Sequence, residues 1–268
     1  MAEFSAADVK RLRDMTGAGM MDAKKALTEA GGDFDAAGKW LRERGLGKAA
    51  ERSDRENAQG AVGAARAGSV AAIVELKCET DFVAKSQDFV NLAEELSQLV
   101  ADKGTEAVAE RTEAVDDLRI TLKENIEVGR VHRVEAAPGN GLGLYVHRQE
   151  GRGVNAVIVE LGGGDDEVAR QVAQTAAFTK PSAVRREDVP AADVEAEREQ
   201  LLKETQNEGK PEAAWEKIVE GKLGGWFKRY PGGVLLEQPF FVVDEKQSVK
   251  QGLGNADIVT FAQIVIGG

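Results

Sequence analysis

The sequence predicts an α+β protein: a helical N-terminal module, a duplicated core of hairpin-plus-helix units and an inserted antiparallel helical hairpin. Three observations carry this. Residues 1–45 place apolar side chains at helical spacing between Gly turns. An apolar strand, Val70-Ala71-Ala72-Ile73-Val74-Glu75-Leu76, recurs at an offset of 85, where Ala156, Ile158, Val159, Glu160 and Leu161 repeat Ala71, Ile73, Val74, Glu75 and Leu76. Residues 181–224 then become highly charged around a Gly-Lys-Pro reversal.

Composition bounds the function. At 268 residues the chain has room for two or three domains, and 42% hydrophobic with 30% charged residues is ordinary for a globular protein. A net charge of −11 argues against a protein whose main work is gripping nucleic-acid phosphates, although a local basic patch could survive. The single cysteine, Cys78, allows no internal disulfide, and with two histidines it leaves little for a structural zinc site. No apolar run is long enough to span a bilayer. The start, Met-Ala-Glu-Phe-Ser-Ala-Ala-Asp, has neither the basic nor the apolar region of a secretion signal, so the expected location is cytoplasmic.

Along the chain, Ser5 with Asp8 resembles a capping box for a first helix bearing Val9, Leu12 and Met15. Thr16-Gly17-Ala18-Gly19 breaks it. Met21 to Ala30 forms a second helix, with Ala23, Ala26, Leu27 and Ala30 on one face and Gly31-Gly32 as its stop. Asp33 caps a third, carrying Phe34, Ala37, Trp40 and Leu41 and ending at Gly45. Three short helices with this Gly turn look like a ubiquitin-associated-type bundle over 1–45. Met20 and Met21 sit in the turn, as core plugs or as an adaptable contact surface. Residues 46–59 read as a polar linker, partly helical at most.

Residues 60–140 hold the first core unit. A hairpin turning at Ala67-Gly68-Ser69 leads into Asp81-Phe82 and a helix to about Asp102. An amphipathic helix over 106–128 bears Val115, Leu118, Leu122 and Ile126, and Val131-His132-Arg133-Val134 opens another strand. Residues 141–180 begin the second unit, with a hairpin turning near 150–153 and a helix capped by Asp165 that bears Val168, Val172, Ala176 and Phe178. Residues 181–224 are the helical hairpin, Pro211 suiting the first turn of its second helix. In 225–268, Pro239 marks an edge strand or loop, Ser248 a short helical turn, and Ile258–Ile266 a final strand rejoining the second unit.

Carried beyond the strands, the offset of 85 sets Asp81, Val83 and Ala84 against Asp166, Val168 and Ala169, and Phe82 against Glu167. A position that accepts a carboxylate is solvated, so the fold does not need the phenyl ring, and an exposed aromatic of that kind is a candidate anchor for a partner. The alternative is that Phe82 packs under a local loop.

Catalytic constellations are missing. There is no G-x-x-x-x-G-K-[ST] phosphate loop and no G-x-G-x-x-G after a strand. Gly162-Gly163-Gly164 could offer N–H groups to an anion, but Asp165-Asp166 would repel it. A Cys78–His147 nucleophile pair can be drawn; an inert cysteine closing a core strand fits better. The expectation is a protein that is not an enzyme and holds no cofactor or metal.

Two motifs resemble bacterial elongation factor Ts. Val9-Lys10-x-Leu12-Arg13-x-x-Thr16-Gly17-Ala18-Gly19-Met20-Met21-Asp22-x-Lys24-Lys25-Ala26-Leu27 is similar to that family's N-terminal signature, with Ala23 where the family often has Cys. Cys78-x-Thr80-Asp81-Phe82-Val83-Ala84-Lys85 is similar to its second. The similarity continues in order through the core and the helical hairpin. Longer members carry a further helical module after the point where this sequence stops, Gly267-Gly268. The resemblance implies guanine-nucleotide exchange on the GTPase elongation factor Tu, acting on the Mg²⁺ and GDP that the partner holds. It implies that Thr80, Asp81, Phe82 and Val83 wedge between helices of the GTPase near its Mg²⁺ site. Arg13, Met20 and Met21 would grip a neighbouring helix. Neither nucleic acid nor membrane is implied as a direct partner. The alternative is an adaptor that binds a GTPase without exchange activity.

Overall fold

The computed structural model describes residues 4–209, 211–229 and 232–267. Its first three helices are α1 (Ala6–Thr16), α2 (Met20–Glu29) and α3 (Phe34–Ala50). Ser5 and Asp8 form the expected capping box, and Gly17 ends α1 in the left-handed region that its missing Cβ permits. Val9, Leu12, Ala23, Ala26, Leu27, Ala37 and Leu41 make a separate small core. Two expectations need correction. Met15 shares the spacing of Val9 and Leu12 yet is 65% exposed, at a cleft that α1 shares with residues 117–123 and not in the module's core. Helix α3 also continues past Gly45 and Gly47 to Ala50, since each helical Gly costs only about 1 kcal/mol and the neighbouring helix Thr112–Leu122 packs against it there.

The segment after α3 is held in place. Arg52 donates from Nη2 to the Arg119 carbonyl at 3.0 Å, and the buried Asn125 side chain donates to the carbonyls of Ser53 and Arg55 at 3.0 and 2.8 Å. Polar composition alone reads as a linker; these long-range partners fix it.

Strands β1 (Gln59–Ala67) and β2 (Val70–Cys78) form an antiparallel hairpin. A four-residue helix α4 (Asp81–Ala84), a bend, and helix α5 (Gln87–Lys103) follow; the expected Asp81-Phe82 turn takes the form of this short helix, and the expected helix ends at Lys103. A 3₁₀ turn over Thr105–Arg111 precedes α6 (Thr112–Leu122). That helix is shorter than expected: Lys123 turns left-handed and Ile126 enters the core from a loop. Strand β3 (Glu127–Glu135) completes an antiparallel sheet in the order β1-β2-β3.

Strands β4 (Gly141–Gln149) and β5 (Arg152–Gly162), helix α7 (Asp166–Thr179) and strand β8 (Asp257–Val265) make the second sheet, in the order β4-β5-β8. The final strand therefore joins β5 as expected. Between them, α8 (Ala191–Asn207) and α9 (Trp215–Phe227) pack on each other through Leu201, Val219, Leu223 and Phe227. Lys222 and Glu208 pair across them at 2.7 Å. Lys210 of the expected reversal lies outside the described residues. Short strands β6 (Pro239–Phe240) and β7 (Asp244–Ser248) pair with each other, and α10 (Val249–Leu253) is capped by Ser248.

Period-two alternation positions the layers. Ala72, Val74 and Leu76 face α5, while Val157, Val159 and Leu161 face α7. Ala71, Ile73, Ala156 and Ile158 meet in one core between the two sheets. Strand residues 85 apart thus occupy matching faces, but the helices do not keep that offset. Gly63 pairs with Val74 and lies directly under the Ala93 carbonyl of α5; Gly143 pairs with Val159 and lies under Ala169 of α7. A Cβ at either Gly would overlap helix backbone. By this packing α7 covers its strand pair as α5 covers its own, while α4 lies between strand and helix with no counterpart before α7. Setting Phe82 against Glu167 was therefore wrong: an ungapped offset was carried past the strand end into a segment with an added turn.

Helix α7 also departs from its expected apolar set. Phe178 is exposed and packs against Phe241 with the rings tilted 58° and their centroids 4.8 Å apart, since it lies off the face that covers β4 and β5.

Candidate partner-binding surface

The Asp81-Phe82 turn is fixed from four sides. Thr80 is the N-cap of α4, its hydroxyl accepting from the Val83 N–H at 3.4 Å. Glu124 reaches across from the loop after α6: one carboxylate oxygen accepts from the N–H groups of Glu79 and Thr80 at 3.0 and 3.1 Å, the other from the Thr80 hydroxyl at 2.5 Å. Lys85 donates to Asp81 at 2.7 Å and pairs with Glu150 of the β4–β5 turn at 2.8 Å. Val83 packs against the α5 core and Ala84 is fully buried.

Phe82 takes no part in this anchoring and is 82% exposed. Packing under a loop is thus excluded by direct exposure, even though the repeat argument for it fails. An exposed phenyl ring on a locked turn makes Phe82 a candidate contact for a partner. The hydrogen bond from Lys85 holds the Asp81 carboxyl below the usual carboxylate range, so the pair persists at mildly acidic pH and is lost as pH falls through the lowered value. Asp81 is thereby occupied in shaping the turn.

The three-helix module presents a second apolar surface. Met21 is 74% and Met20 47% exposed at the start of α2, and the exposed Met15 ends α1 across the same Gly turn. Arg13 is exposed one turn from the end of α1. Flexible thioethers suit an adaptable contact. Sequence reasoning missed Met15 as a surface residue and passed over the i,i+4 pairing of Lys85 with Asp81; it missed Glu124 and Glu150 because no local pattern marks a residue whose partner lies tens of positions away.

Chemistry is not gathered here. Cys78 is buried, its Sγ donating to the Thr80 carbonyl at 3.2 Å, and burial pushes its thiol up to about 12. Such a thiol is a poor nucleophile at neutral pH. Alkylation of the folded chain at pH 7.5, followed by mass spectrometry, is expected to be no faster than the chain opens, and Cys78→Ser should leave function unchanged. Rapid labelling of the native protein would restore a thiol reading. Among the described residues, no group of three His, Cys, Asp or Glu gathers to hold a metal, and no helix is long and apolar enough to cross a membrane.

The turn also opens the stretch that matches a family model. Residues 79–268 match the family model described as Elongation factor TS. The chain belongs to the elongation factor Ts family. It is 42% identical to the Elongation factor Ts of Clavibacter sepedonicus, with each chain covered in full. It is 41% identical to that of Thermobifida fusca over 96% of this chain and 95% of the relative. With that of Deinococcus deserti it shares 41% identity over 97% of this chain and 98% of the relative. The similarity to elongation factor Ts proteins therefore runs through both the methionine surface and the Phe82 turn.

Proposed function

We propose that the protein is a guanine-nucleotide exchange factor for the GTPase elongation factor Tu. The observation that carries this is Phe82, an exposed ring on a turn locked by Glu124, Thr80 and Lys85, in a chain of this family. The ring inserts between helices of the GTPase near its Mg²⁺ and phosphate site, with Thr80, Asp81 and Val83 shaping the wedge. Arg13, Met20 and Met21 hold a neighbouring helix. Burying the ring supplies about 1.5–3 kcal/mol to separate the partner's helices. That displacement weakens the Mg²⁺ and phosphate contacts and GDP leaves. The protein does this without covalent chemistry and without a cofactor of its own, in the cytoplasm where translation proceeds.

Within this reading residues 1–45 form a ubiquitin-associated-like module. Residues 60–140, 141–180 and 225–268 form a core descended from two copies of a hairpin-plus-helix unit, and 181–224 is an inserted hairpin. The matched faces of strand residues 85 apart, with Gly63 and Gly143 each lying under a helix, support the two-copy reading.

The mechanism is a linkage: the factor favours the nucleotide-free GTPase, so nucleotide must expel the factor by the same free energy. Size-exclusion chromatography tests this. A stable complex should form without nucleotide and dissolve when GDP is added; a complex indifferent to GDP supports an adaptor instead. The chain alone, lacking a phosphate loop, should show no heat of binding with GDP or GTP in calorimetry, and micromolar affinity would overturn the reading.

A further inference from the structure

The two apolar surfaces are joined by a continuous set of contacts through α6. In the last turn of α6, α3 crosses it at Gly45, where a Cβ would sit 2.8 Å from Ile120 Cγ2 and 2.9 Å from Cγ1. Gly45 therefore lets the helices approach closely. Arg42 pairs with Asp117 beside it, and Arg52 donates to the Arg119 carbonyl at 3.0 Å. The joint is narrow, bordered by a cleft of about 640 Å³ lined by Met15, Arg44, Lys48 and Lys123 among others. Just beyond that same C-terminal end of α6, Asn125 donates its N–H to Glu79 at 2.7 Å and its side-chain amide to the carbonyls of Ser53 and Arg55. The neighbouring Glu124 holds the Thr80 cap of the Phe82 turn. Ile126, fully buried, anchors this loop in the α5 core.

We propose that α6 and the loop 123–125 are a strut that holds the methionine surface and Phe82 at one fixed separation, with Gly45, Ile120 and Glu124 as positioning residues. This rests on the exchange reading above. A rigid pair of contacts meets the partner without an ordering cost at the second contact; a loose pair loses part of its effective concentration. The wedge also needs a fixed support, since a ring on a mobile arm would yield instead of displacing helices.

The test uses the full chain with spin labels on cysteines introduced at Asp35 and Asp88, both exposed, Cys78 being buried. Double electron–electron resonance should give one narrow distance. Gly45→Leu should broaden it and slow GDP release from elongation factor Tu by about tenfold or more. Gly45→Leu with Ile120→Ala, which returns the space, should restore both. Gly47→Ala, with open space around that position, should change neither. A broad distribution in the parent chain, a narrow one in Gly45→Leu, or undiminished exchange alongside a broadened one would each overturn the strut. If the parent chain releases no GDP at all, the exchange reading fails, and the distances alone still decide whether the two surfaces are held rigidly.

Discussion

Phe82→Ala is expected to slow GDP release from elongation factor Tu by roughly ten- to a hundredfold while leaving the protein folded. The ring is 82% exposed and contributes nothing to the anchoring of its own turn, so its loss should move stability by no more than the ±0.5 kcal/mol or so usual at surface sites. A central interface anchor costs about 2 kcal/mol or more when truncated, and each 1.4 kcal/mol or so is a decade in rate or affinity. Thermal melting followed by circular dichroism and stopped-flow release of a fluorescent GDP give the two numbers. Early melting would make the ring structural; parent-like exchange would remove it from the mechanism.

Removal of residues 1–50 is expected to have the largest effect. The cut falls at the end of α3, not at Gly45, because a break inside the helix would leave a frayed stub on α6. None of the core clusters around α5, around α7 or between the sheets draws on the module, so the remainder should melt cooperatively near the parent temperature. It loses Arg13, Met20 and Met21 together with the α3 contact on Ile120. Loss of one of two linked contacts removes an avidity gain on the order of 10²–10⁴, and exchange at low factor concentration should fall about a hundredfold or more. Full activity of the truncated chain would confine the mechanism to the core.

Much of the fold was legible in the sequence because its elements are amphipathic and punctuated. Ser5, Asp33, Asp165 and Ser248 all cap helices where their spacing predicts. Alternation in Val70–Leu76 and its counterpart sorts residues onto the correct faces. The failures have a common source. Met15 and Phe178 fit an apolar period yet face solvent, since period marks a stripe but not where the covering element ends. Gly45 reads locally as a stop, and its close approach to Ile120 accounts for the Gly at that position of α3. Phe82 is exposed as expected, but for a different reason, because an ungapped comparison cannot see that α4 has no counterpart before α7. Glu124 and Asn125 were invisible, as their partners at positions 53, 55, 79 and 80 are distant in sequence.

The central claim is that this chain acts by expelling nucleotide from a GTPase. It is tested most directly by loading elongation factor Tu with a fluorescent GDP, adding excess unlabelled GDP, and following release with and without the protein. The account predicts a release rate that rises with protein concentration until it saturates, with the same end point in both cases. A release rate unchanged at saturating protein, with binding shown independently, would contradict it.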